Sequence, residues 1–177
     1  MGDVTEEELY DAFKTQVIAL EKGGADAICI ETMSDIDEAL LAIRATKENT
    51  GMEVICTFTF DAIGENEYRT MMGISPAEAA IACVNAGADI VGTNCGNGLK
   101  NMTHIVAQIH ETIPDIPILV HANAGLPELI NGEIVYPETP EQMKELIPQI
   151  IRAGANIIGG CCGTTPAHIA EIKSCVS

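Results

Sequence analysis

The chain has 177 residues and a formal net charge of −17, from 26 acidic against 9 basic side chains, with 47% of its residues hydrophobic and 20% charged. That length and composition suit one packed domain and exclude a disordered chain, while an acid excess without any basic cluster excludes nucleic acid as a partner. No apolar run approaches the roughly 18 residues of a membrane span. The start, with Asp3 and Glu6-Glu7-Glu8, is unlike a secretory signal, so a soluble cytoplasmic protein is expected.

In chain order, Leu9, Phe13, Val17 and Leu20 recur at helical spacing after a Thr5–Glu8 capping box, which predicts a helix over 5–22. Gly23-Gly24 stops it, and Ala25 to Ile30 is a short apolar run that reads as a strand. A helix from Ile36 to Lys47 follows, capped by Ser34 or Asp35, and then a β-branched and aromatic strand from Val54 to Phe60. Ser75-Pro76 opens the third helix, which ends near Gly87; Asp89 to Thr93 is a strand, Met102 to Glu111 a helix and Ile116 to His121 a strand. Thr139-Pro140 opens a helix through Arg152, Asn156 to Ile158 is the fifth strand, and Thr165-Pro166 opens the last helix. Gly24-Ala25-Asp26, Gly87-Ala88-Asp89 and Gly154-Ala155-Asn156 each join a helix stop directly to a strand. Apolar strands alternating with helices predict α/β architecture with a parallel sheet, here of five strands and six helices.

Ligands of parallel α/β folds collect at the C-terminal ends of the strands. Here those ends carry Glu31-Thr32, Thr59-Phe60-Asp61, Thr93-Asn94-Cys95-Gly96, His121-Ala122-Asn123-Ala124-Gly125 and Gly159-Gly160-Cys161-Cys162-Gly163. Polar groups at every strand end suit a barrel better than a doubly wound sheet, which gathers its site at one switch point. Of the seven cysteines, Cys29, Cys56 and Cys83 read as small buried hydrophobes and Cys175 as incidental. Cys95, Cys161 and Cys162 sit beside glycines at strand ends, and three thiolates with one position open match a catalytic zinc site. Neighbouring strand residues point to opposite faces, so Cys161 and Cys162 can share one ion only if the backbone turns; Gly159, Gly160 and Gly163 are expected to supply the unusual angles. The same glycines also fit a phosphate cradle, and the vicinal pair a redox disulfide.

These motifs, Ile30-Glu31-Thr32-Met33-Ser34-Asp35, Gly92-Thr93-Asn94-Cys95, Asn123-Ala124-Gly125 and Gly159-Gly160-Cys161-Cys162-Gly163-Thr164-Thr165-Pro166, resemble the homocysteine S-methyltransferase family, and most nearly the homocysteine domain of its cobalamin-dependent branch. The resemblance implies a partial (βα)8 TIM barrel, with five parallel strands corresponding to strands four to eight of the family's eight. It implies Zn2+ held by Cys95, Cys161 and Cys162, with Glu31 holding the substrate amino group. Asn123 falls where some relatives offer a fourth ligand, His121 stands where some carry an acidic residue, and Asn94 reads as a structural hydrogen-bonder. The implied reaction moves a methyl group to the thiol of homocysteine, giving methionine, from methylcobalamin on another domain or a corrinoid protein. Betaine and S-methylmethionine serve other relatives as donors. Residues 1–177 then form a single domain, the C-terminal part of a barrel, and Met1-Gly2-Asp3 reads as the middle of a loop. An N-terminal half-barrel or a second copy is the expected partner. The alternatives are an incomplete half-barrel that binds zinc or thiol and needs a partner chain, and a phosphate-binding barrel enzyme.

Overall fold

The computed structural model describes residues 4–176; Met1-Gly2-Asp3 lie outside them. The elements run α1 (Glu6–Lys22), β1 (Ala27–Met33), α2 (Ile36–Asn49), β2 (Glu53–Phe58), β3 (Asp61–Gly64), β4 (Glu67–Arg69), α3 (Pro76–Asn85), β5 (Ile90–Asn94), α4 (Leu99–Thr112), β6 (Ile118–Ala122), β7 (Glu128–Ile130), β8 (Glu133–Val135), α5 (Pro140–Arg152), β9 (Ile157–Gly160) and α6 (Pro166–Val176). Five strands form one parallel sheet in the order β1-β2-β5-β6-β9, so each crossover adds its strand beside the last. This stepwise order has no switch point, as expected for part of a barrel. The hairpins β3–β4 and β7–β8 are additions that the sequence pattern did not reveal. Their strands are three or four residues long, too short to show alternation.

Capping chemistry explains most helix starts. Thr5, Ser75 and Thr139 each form a reciprocal capping box, with Glu8, Glu78 and Gln142, and Asp35 accepts from the N–H groups of Asp37 and Glu38. Each such cap contributes about 1 kcal/mol. Helix α4 differs: it begins at Leu99, three residues before the Met102 expected from periodicity, and its N-cap Gly98 makes no side-chain cap that would have marked the start. Pro148 inside α5 leaves the Lys144 carbonyl without its i+4 donor, and the Cys175 thiol approaches that oxygen at 3.9 Å. Cys175 is thus a weak substitute donor rather than incidental.

The two faces of the sheet differ. One carries Ile28, Ile30, Val54, Cys56, Val91, Ile118 and Val120, all buried in the core with Ile43, Ile105, Ile109, Met143 and Ile147 of the helices. Each large side chain there contributes roughly 1.5–3 kcal/mol on removal from water. The other face carries Cys29, Ile55 and Ile90 in one row across β1, β2 and β5, and Leu119 with Ile157 in the next row. This face is the more open one, with Ile157 37% exposed, although Leu119 is buried. Cys29, expected to be buried, is exposed on this open face, while Cys56 and Cys83 are buried as expected.

Candidate metal centre

The C-terminal ends of β5, β6 and β9 meet at one place. The Cys95 and Cys162 sulfurs are 3.7 Å apart, those of Cys161 and Cys162 are 4.0 Å apart, and all three lie within 4.8 Å of one another. Thiolates about 2.3 Å from one tetrahedral ion would stand about 3.8 Å apart, so the set fits zinc with little movement. Cys95 and Cys161 are half-buried and Cys162 is exposed, which leaves a side open to substrate. The chemistry of the donors also fits, since three soft sulfur ligands select zinc over calcium or magnesium.

Two loops present these sulfurs by different means. After β5, Cys95 itself adopts a left-handed backbone (φ 57°), followed by Gly96 (φ 70°). The Cys95 N–H donates to the His121 carbonyl at 3.0 Å, and the Asn97 N–H donates to the Cys95 carbonyl at 2.7 Å. After β9, the Cys161 N–H donates to the Ala122 carbonyl at 2.7 Å, prolonging the ladder, and the Cys162 N–H leaves it for the Asn123 side-chain oxygen at 3.1 Å. The regular ladder is interrupted at the Cys162 N–H, although the Cys162 carbonyl still accepts from the Ala124 N–H at 2.9 Å, and the two sulfurs stand 4.0 Å apart. Of the three glycines expected to supply unusual angles, only Gly163 does, with φ 79°. Gly159 and Gly160 lie in β9 and serve close approach instead: a Cβ on Gly159 would stand 2.6 Å from the His121 ring, and one on Gly160 2.3 Å from the Thr164 hydroxyl.

Glu31 and His121 come together beside this cluster, with Glu31 Oε1 3.1 Å from His121 Nδ1. A break in the β1–β2 register between Ile30 and Met33 turns Glu31 out of the strand pattern. Its cause is Thr32, whose left-handed backbone (φ 64°) is held by Asn94. Asn94 Oδ1 accepts from the Thr32 N–H at 2.9 Å and the Thr57 hydroxyl at 2.7 Å, while its Nδ2 donates to the Thr32 hydroxyl at 2.7 Å. Asn94 is thus the structural hydrogen-bonder that the sequence suggested. Asn123 is buried and spends its oxygen on the Cys162 N–H.

The thiols are electrostatically unequal. Burial, with Cys95 nearby, pushes the Cys161 thiol up to about 12, whereas a hydrogen bond from Tyr136, aided by Cys95, holds Cys162 below the ordinary thiol value. Tyr136 was not singled out from the sequence. The available signal was an aromatic hydroxyl in the loop leaving β6, at the same sheet end as the cysteines.

Fold and site together define a βα-barrel segment with a three-thiolate, metal-competent cluster at its strand ends. The model of the homocysteine S-methyltransferase family matches residues 1–176, and the chain belongs to that family. It is 34% identical over 96% of its length to the methionine synthase of Mycobacterium tuberculosis, and 32% identical over its whole length to that of Mycobacterium leprae. It spans 14% and 15% of the length of those two relatives. Among solved structures it resembles the apo form of the Escherichia coli homocysteine methyltransferase MmuM, with a TM-score of 0.77, 24% identity, and coverage of 98% of this chain and 58% of that one. The metallated form matches with a TM-score of 0.72 and 25% identity, over 93% of this chain and 51% of that one. Among the described residues no helix is long and apolar enough to cross a membrane.

Proposed function

We propose that this chain is the zinc-bearing part of a cytoplasmic methyltransferase that moves a methyl group to the thiol of homocysteine, giving methionine. The convergence of the Cys95, Cys161 and Cys162 sulfurs within 4.8 Å carries this reading. Family membership and the methionine synthase relatives support it. A zinc ion held by the three sulfurs supplies the Lewis acidity that keeps a substrate thiol ionised at neutral pH, where a free thiol with a pKa of about 8.5 is only a few per cent thiolate. The exposed flank of Cys162 leaves room for that substrate sulfur.

The chain's own residues do the positioning. Glu31, with a partly exposed carboxylate, offers an anion for the substrate ammonium, and His121 limits the rotamers of that carboxylate through its 3.1 Å contact. Asn123 holds the backbone of Cys162 and so fixes where the third sulfur stands. In the balanced reaction the thiol loses its proton, sulfur forms the bond to the methyl carbon, and the donor keeps the electron pair of the broken bond. Methylcobalamin, on another domain or on a corrinoid protein, is the donor we favour, because the relatives are methionine synthases of which this chain spans one part.

The test is methionine formation from homocysteine and methylcobalamin by the zinc-loaded chain, alongside metal content. One zinc per chain, lost together with turnover in Cys161→Ser and Cys162→Ala, is the expected result. Unchanged turnover in either variant would overturn the reading, and phosphate binding in place of zinc would favour a phosphate-binding barrel enzyme. A second reading is favoured by the open face and by β1 and β9, each paired on one side only. In it the site acts once an N-terminal half-barrel or another copy completes the sheet. Turnover that appears only on adding a polypeptide with the remaining βα units would establish it.

A further inference from the structure

Two asparagines of the chain precede a glycine, Asn97-Gly98 and Asn131-Gly132, and the fold treats them oppositely. Asn97 is buried, and both ends of its side-chain amide are held: Nδ2 donates to the Phe60 carbonyl at 2.6 Å, and Oδ1 accepts from Asn101 Nδ2 at 2.9 Å. Gly98 is confined as well, since a Cβ there would stand 3.2 Å from the Gly125 Cα. Asn131 and Gly132 instead form the exposed tip of the β7–β8 hairpin, with open space around Gly132.

The backbone of that tip is left-handed at both residues, Asn131 at φ 52° and Gly132 at φ 86°, the two-residue turn that strand twist favours. The hairpin's pairing ends on Ile130 and Glu133, outside the Gly132 amide. An asparagine side-chain carbonyl is an electrophile one residue from a backbone nitrogen, and a following glycine has no Cβ to crowd that nitrogen. Asn66 separates exposure from the glycine requirement: it too is exposed and left-handed, at φ 58°, but Glu67 follows it.

We propose that Asn131-Gly132 is a site of self-modification, an exposed amide that the chain's own backbone converts to a carboxylate with water as the only co-reactant. The Gly132 nitrogen loses its proton and forms a bond to Asn131 Cγ. The bond from Cγ to Nδ2 breaks, and that nitrogen leaves with its electron pair and a proton as ammonia. Water then opens the five-membered imide at one of its two carbonyls. One product is aspartate; the other is isoaspartate, in which the former side-chain carbon lies in the backbone. Either adds a negative charge beside Glu133, and the isoaspartate lengthens a turn whose twist depends on having two residues. The hairpin leads directly into Tyr136, which packs on Gly163 beside the cysteine pair, so the change falls on the rim of the candidate metal centre.

The test ages the full chain in warm, mildly alkaline buffer and follows Asn66, Asn97 and Asn131 by peptide mass spectrometry, with fragmentation that separates aspartate from isoaspartate. In the folded chain Asn131 should convert roughly tenfold faster than Asn97, which must first open its buried loop. Asn66 should lag behind Asn131 as well. In urea Asn97 should catch up with Asn131, because both precede glycine, while Asn66 stays slow. Conversion of Asn131 should quicken as pH rises, since the attacking nitrogen must lose a proton. Asn131→Gly suits a turn with positive φ at both positions and removes the amide, so its hairpin should keep the same hydrogen exchange on ageing, while that of the unaltered chain exchanges faster. Equal rates at Asn131 and Asn97 in the folded chain, an Asn131 no faster than Asn66, or equal loosening of the aged Asn131→Gly hairpin would overturn the inference.

Discussion

The loops after β5 and β9 deliver sulfurs to one point by opposite distributions of strain. In the first, the cysteine itself takes the left-handed turn, Cys95 at φ 57°. A non-glycine residue there costs on the order of 1–2 kcal/mol. In the second, Gly163 beside the pair absorbs the turn at φ 79°, and Asn123 receives the amide that left the strand ladder. One loop stores strain in the functional residue; the other transfers it to a glycine and a neighbouring side chain. Both arrangements persist because the surrounding sheet over-determines them.

The contrast is sharpest at the glycines. Both glycines take left-handed angles, but a Cβ on Gly163 would stand 2.3 Å from the Tyr136 stem, whereas one on Gly96 meets the end of the Thr59 side chain at 2.7 Å and the Phe60 carbonyl at 3.4 Å. Urea denaturation should show a loss of about 3 kcal/mol for Gly163→Ala and a smaller one, about 1–2 kcal/mol, for Gly96→Ala. An equal cost at the two sites would break the distinction. Next in size, Asn123→Ala should cost about 1 kcal/mol, since it leaves the part-buried Cys162 amide without its acceptor, and should also weaken zinc binding.

A smaller effect separates the vicinal pair by pH. In the metal-free chain Cys162 sits below the ordinary thiol value and Cys161 at about 12, so thiolate appears first at Cys162 as pH rises. Alkylation followed by peptide mass spectrometry should label Cys162 first at neutral pH, with Cys161 lagging until strongly alkaline pH. The reverse order would contradict the assigned environments. Smallest of all, Cys95→Asn should leave the metal-free fold unchanged or up to roughly 1 kcal/mol more stable, since asparagine tolerates the left-handed region better than cysteine. The same exchange at Cys161 gives no such relief. Thermal melts of the two metal-free variants check this.

Much of the scaffold was legible in the chain. The boxes at Thr5, Ser75 and Thr139 and the glycine stops bound most helices to within a few residues, because a cap is local chemistry between near neighbours. Where that chemistry is missing, as at Gly98, the expected start of α4 was late. The exposure of Cys29 was not legible either. The local pattern cannot tell a helix-covered face of a parallel strand from its opposite face, and β1 has Ile28 and Ile30 on one and Cys29 on the other.

At the site, the sequence by itself determined the cysteines, their glycine neighbours and their positions at strand ends. Side-chain chemistry and element order are written locally, and they marked Cys95, Cys161 and Cys162 as candidates for a metal while leaving a phosphate cradle and a redox pair open; the family resemblance favoured zinc. Only the tertiary structure decided how those sulfurs converge. The register of three strands brings Cys95 within 3.7 Å of Cys162, 67 residues away, and no spacing rule encodes that. It also decided that Cys95 rather than a glycine bears the first turn, and that Gly159 and Gly160 make room rather than bend. Tyr136 lies against Gly163 for the same reason: nearby Glu138 and Cys162 both bond to residues 123–125, contacts between segments the sequence keeps apart.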